Sequence, residues 1–172
     1  MNFLDFEDDI KPLVVKERLN AYNKFLRKNS GFFPQAAYEF AIADWHYNPS
    51  DSRCPHDALV ESLQISEKHN SETDKKEGIK IQLILLGAYH DGQIKIQYEG
   101  VKGYNLNLLP DSFEVKHHGD WLIDEIRISE KGWLVHEIKF SVFGKWQIEC
   151  ENINYEWLPF DTKNQDNSRS NL

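Results

Sequence analysis

The chain has 172 residues, 40% of them apolar and 13% aromatic, and its 20 basic and 28 acidic side chains give a net charge of −8. That length suits one domain able to form a core without a metal or disulfide staple, and no run of eighteen apolar residues supplies a transmembrane helix. Two distant cysteines, Cys54 and Cys150, point to a reducing, cytoplasmic setting, and the acidic surface disfavours nucleic acid as a partner.

The opening MNFLDFEDD is acidic where a secretory signal is basic and then apolar, so export by that route is not expected. A helix is predicted next, capped by Asp9, with Pro12 in its first turn and Gly31 at its end. Ile10, Leu13, Val14, Leu19, Tyr22, Phe25 and Leu26 recur near helical spacing along it. Lys24, Arg27 and Lys28 fall in the last turns, where they suit the helix dipole. Residues 34–46, PQAAYEFAIADWH, carry four alanines and a leading proline and are read as a second helix, although Tyr38, Phe40 and Ile42 also alternate as a strand would.

After the turn-rich YNPSDSRCP the period changes to two, beginning with Leu59, Leu63 and Ile65. Residues 66–78 contain no apolar side chain before the closing glycine and are read as an exposed loop. IKIQLILLGAYHDGQIKIQYEGV is then two strands about a two-residue turn at Asp91-Gly92, with Leu85 set opposite Tyr98. Val101–Leu109 is another strand. Of the last three strands, the first carries Leu122, Ile126 and Ile128 on one face and the second Leu134, His136, Ile138, Phe140 and Val142. A turn at Phe143-Gly144-Lys145 sets Ile138 opposite Cys150. That apolar face should be the core, and the face with Glu125, Arg127, Glu137, Lys139, Gln147, Glu149 and Glu151 should be wet. The expectation is an α+β domain over residues 1–160. One or two N-terminal helices (9–46) pack on a mainly antiparallel meander sheet of six or so strands (56–158), and a polar tail follows at 161–172.

Three His-acid pairs, His56-Asp57, His90-Asp91 and His136-Glu137, cannot act together if they lie in strands, where neighbours point to opposite faces. His117-His118 reads as solvated loop, since zinc needs three or four converging ligands, and no metal or cofactor is expected. The strand register makes one sharper cluster. His136 falls on the apolar face with Asn152 opposite and Asp124 beside it, either as a buried histidine with its hydrogen-bond partners or as a general base. Phosphate-loop, dinucleotide, zinc-protease and hydrolase-elbow motifs are absent from the sequence. Strand parity places Trp133, Tyr155 and Trp157 on the wet face beside Glu137, Glu149 and Glu151. Aromatics that anchor and acids that steer make this a docking surface for a basic protein, unless the N-terminal helices cover it.

His56-Asp57-Ala58 opening the first strand, the hairpin ending in YEGV (98–101) and the closing WQIECENINYEW (146–157) together resemble small bacterial immunity proteins of polymorphic toxin systems. A related bacterial family of unknown function carries similar strings. The resemblance spans residues 56–157. It implies a cytoplasmic antitoxin that blocks a toxin, often a nuclease, by tight binding, with no catalytic residue. The alternatives are a small enzyme using His136 and Asp124, and a homo-oligomer, a homodimer in the simplest case, that buries the aromatic face against its own copy.

Overall fold

The structure, a computed structural model, describes residues 3, 12–70, 75–107, 117–142 and 144–161. The expected cap Asp9, the residues around Ile10, the turn residue Phe143 and the tail from 162 lie outside them. Helix α1 spans Pro12–Lys28, with Arg27 and Lys28 in its last turn. It stops at Asn29 rather than at Gly31. The Asn29 side-chain amide donates to the Phe25 carbonyl at 2.8 Å, while its backbone N–H bonds to Phe25 and Leu26 at 3.1 and 3.2 Å, satisfying carbonyls that the helix leaves open. A short 3-10 turn, Ser30–Phe32, leads to helix α2, Gln35–Ile42. Its Ala37, Phe40 and Ala41 form one buried stripe, which resolves the helix-or-strand ambiguity of that segment.

The described strands are β1 Leu59–Asn70, β2 Lys75–Leu86, β3 Gly92–Val101, β4 Gly103–Asn107, β5 Trp121–Ile128, β6 Leu134–Phe140, β7 Lys145–Cys150 and β8 Asn152–Pro159. The class is α+β and the pairings are antiparallel, as expected. The strands form two four-stranded sheets, ordered β1-β2-β3-β8 and β4-β7-β6-β5, in place of one meander of six. The chain changes sheet at Lys102 and again at Glu151. At the second crossing the inward parity flips: Trp146, Ile148 and Cys150 face in on even numbers, then Ile153 on an odd one. Tyr155 and Trp157 follow Ile153. They stand across from the buried Ile96 and Ile94 and so leave the predicted wet face for the inner one.

Both long hairpins turn two residues earlier than expected, and the first closes through a longer loop. Gly87 N–H bonds to Gly92 C=O at 3.0 Å, leaving 88–91 as the loop, and Leu85 pairs with Ile94 rather than Tyr98. The left-handed residue there is His90, at φ 55°. Gly92 is kept small by packing, since a Cβ on it would stand 2.5 Å from the Trp157 indole. Likewise Phe140 N–H reaches Gly144 C=O at 2.9 Å, and Ile138 pairs with Trp146 rather than Cys150. The stretch read as a loop at 66–78 is mostly strand. Ser66 pairs with Lys80 and His69 with Lys76, because a backbone ladder needs no apolar face. Leu122, expected inside, is 42% exposed. The pairing of β5 with β6 slips between Trp121 and Ile123, and Trp121 takes the inner place.

One cluster of buried residues joins the two sheets and the helices, including Tyr22, Phe40, Ile96, Tyr98, Trp121 and Ile138. Helix α2 packs against β8 and also touches β5, so the helical segment closes the side of the core between these two edge strands. On the other side of β5, Phe3 N–H donates to the buried Glu125 carboxylate at 2.8 Å. Among the described residues no helix is long and apolar enough to cross a membrane.

Candidate functional site

Asp124 lies inside the core on β5, 2% exposed, and four further residues of the network are buried with it: His46, Tyr98, Trp121 and His136. His46 Nε2 is 3.0 and 2.9 Å from the two carboxylate oxygens, His136 Nε2 is 2.9 Å from Oδ2, and Trp121 Nε1 donates to Oδ1 at 3.0 Å. A buried carboxylate costs several kcal/mol of lost hydration unless it is paired and hydrogen-bonded. Burial alone pushes the Asp124 carboxyl up. The His46 charge and the hydrogen bonds from His136 and His46 outweigh it and hold the group well below the usual carboxylate range.

The second nitrogen of each ring fixes its protons. His46 Nδ1 lies 2.8 Å from the Phe40 carbonyl, which can only accept. Both His46 nitrogens therefore face acceptors, and only a ring carrying a proton on each nitrogen donates to both. The ring is stacked between Phe40 and Tyr47 at 4.4 and 4.3 Å. His136 Nδ1 lies 2.9 Å from the Tyr98 hydroxyl, which can donate, so a neutral ring with its proton on Nε2 satisfies both sides. Tyr98 belongs to β3 and His136 to β6, so this bond ties one sheet to the other.

The same strand holds the helical segment. Tyr47 donates to the Asp124 carbonyl at 2.8 Å. The Tyr22 hydroxyl donates to the Ile126 carbonyl at 2.8 Å and accepts from its N–H at 2.7 Å. β5 is the edge of its sheet, and these hydroxyls satisfy backbone groups that a free edge would leave open. Burial pushes both tyrosines well above their ordinary range, so each stays a neutral donor.

Sequence reasoning brought His136 and Asp124 together but placed Asn152 with them. Asn152 is in the other sheet, opposite Glu99, and Ile148 pairs with His136 instead. It missed His46, Tyr98 and Trp121. The buried thiols add no nucleophile: burial pushes Cys54 up to about 11 and Cys150 up to about 12.

Of the proposed docking residues, Glu137 and Glu149 share the outer side of the second sheet and Lys102 touches both Trp133 and Glu151 beyond the strand ends, whereas Tyr155 stacks on Phe40 at 4.9 Å and Trp157 covers Gly87 and Gly92. That side is not uniformly wet. Glu137 is buried beneath Arg127 and Lys145, which reach it at 2.7 and 2.9 Å. Burial pushes its carboxyl up, but hydrogen bonds from Lys145 and Arg127 outweigh that and lower it. Glu149 and Glu151 remain nearer solvent.

His56 and Asp57 lie in a turn rather than a strand, and their side chains come within 3.5 Å. His118, expected to be solvated, packs its ring 4.7 Å from Trp146, and burial followed by the charge of His117 lowers its pKa. Among the described residues no group of three or more His, Cys, Asp or Glu side chains could hold a metal ion. A depression of about 100 Å³ lies on the outer face of the first sheet between Gln64, Lys80, Gln82 and Gln97. That volume is well below the roughly 300–1,000 Å³ of a small-molecule site. Neither protein-family models nor curated protein sequences give a match to this chain.

Proposed function

We propose that the chain is a non-enzymatic, cytoplasmic protein-binding module, immunity-like in that it neutralises a basic partner, such as a toxin domain, by tight binding. One observation carries the reading. Every side-chain polar atom of the Asp124, His46, His136, Trp121 and Tyr98 network is engaged within the protein, and none of these residues is more than 2% exposed. The residue types of a general base are thus spent on holding layers together, and a substrate would reach His136 only if the core opened. Chemistry directed outward is left to the surface, where Trp133, Glu149 and Glu151 combine an aromatic anchor with negative charge. The resemblance of residues 56–157 to immunity proteins points the same way, as does the net charge of −8.

Affinity capture from the lysate of the source organism, with the bound species identified by mass spectrometry, tests this. The reading expects a stoichiometric basic protein that salt releases. Recovery of the chain alone, as a monomer or a clean homo-oligomer, would overturn it.

A further inference from the structure

Trp133 and Glu151 flank the last β6–β7 pair, Leu134 and Cys150. Lys102, at the crossing from β3 to β4, fills the space between them. Its ammonium stands 4.5 Å above the Trp133 ring centroid and bonds to Glu151 Oε1 at 2.5 Å.

The backbone builds this seat. Lys102 N–H donates to the Glu149 carbonyl at 2.7 Å, which fixes the crossing against β7. Gly100 has φ +60° and lies under the Glu151 side chain, where a Cβ would come within 2.5 Å of the carboxylate carbon. Glu151 therefore lies across bare backbone, and its position depends on a glycine that the left-handed conformation also favours. Lys102 and Glu151 keep 34% and 53% of their side chains exposed, so the cation is held at the surface by contacts that exchange readily.

We propose that Trp133 and Glu151, the latter seated on Gly100, form a cation-recognition site for an arginine side chain of a partner protein, and that Lys102 is its internal stand-in. A guanidinium fits this pair better than an ammonium does, since its planar fork can bond the carboxylate while its face stacks on the indole. On binding, the partner's arginine takes the place of the Lys102 ammonium, which swings into solvent. The inference rests on the protein-binding reading and names the partner group that one part of the docking face takes.

The probe is N-acetyl-arginine amide, titrated into the full chain while the Trp133 indole N–H resonance is followed, with Trp133→Phe giving its assignment. Lys102→Ala should show a saturable shift at about tenfold lower ligand concentration than wild type, the order expected when one competing surface cation is removed. Lys102→Ala combined with Glu151→Gln should lose the response, and the uncharged N-acetyl-citrulline amide should give none. Equal responses of wild type and Lys102→Ala, no response in Lys102→Ala, or an equal response to citrulline would each overturn the proposal. Unchanged dispersion of the amide spectrum shows that each variant is folded. If the wild-type chain still captures a protein partner while Trp133 is silent, this site falls and the binding reading stands.

Discussion

Asp124 and His46 are 78 residues apart in sequence and 2.9 Å apart in the core. This contact joins the turn after α2 to β5, and the Tyr98–His136 bond carries the connection on to the other sheet. A network of this kind fixes one arrangement of layers, because each alternative packing would leave a charge unpaired.

Asp124→Asn keeps the shape and removes the charge, leaving His46 and His136 buried without the ionised acceptor between them. The expected loss of unfolding free energy is about 3–5 kcal/mol, the range for breaking a buried ion pair from one side. Urea unfolding measures it, and a midpoint within error of wild type would contradict the structural role. His136→Gln, which removes a neutral partner, should cost less.

The pH dependence follows from the depressed Asp124 carboxyl. A group whose folded-state pKa lies below its unfolded value contributes stability above the unfolded value, about 3.9, and loses it as pH falls through the folded one. Wild-type stability should therefore decline below about pH 4, and Asp124→Asn should flatten that decline. Asp51, pulled down to about 2 by side-chain and backbone hydrogen bonds with Arg53, acts in the same window from an exposed pair. High salt should weaken the Asp51 contribution and spare that of Asp124.

Tyr22→Phe removes the hydroxyl that serves both the N–H and the carbonyl of Ile126. Each unsatisfied buried group costs about 1–3 kcal/mol, and the β5 edge should open more often. Hydrogen exchange at the Ile126 amide should accelerate more than at Ile138 of the inner strand β6. Equal acceleration of both amides would argue against a local edge-capping role.

Gly92→Ala places a methyl group 2.5 Å from the Trp157 ring, whereas Gly31→Ala meets nothing within 4 Å. Overpacking of this kind costs about 1–3 kcal/mol. Thermal unfolding should separate the two variants, with only the first lowering the midpoint. Equal midpoints would mean that Trp157 moves aside at no cost.

The facing of β6 and β7 was readable from alternation even though their register was not. Shifting Ile138 from Cys150 to Trp146 is an even step, so every residue keeps its face. The same alternation along β5 puts Asp124 on the face of His136, so the two can be brought together from sequence alone. Tyr155 and Trp157 were lost because the chain changes sheets at Glu151, and two-residue alternation carries no mark of such a crossing beyond the polar Glu151-Asn152 step. His46 had no local signal. It sits in a turn between two aromatics, and its role exists only once β5 is folded beside it. The polar arms of the β1–β2 hairpin look like loop in the sequence because hydrophobic patterning reports burial, whereas backbone pairing holds them.

The most direct test of the account measures affinity for the captured partner with wild type and with the double variant Glu149→Lys, Glu151→Lys, alongside their urea unfolding. Binding should weaken by about tenfold or more, chiefly through slower association with reduced salt dependence, while the unfolding midpoint stays unchanged. Unchanged affinity in a folded double variant would contradict the assignment of binding to the outer face of the second sheet.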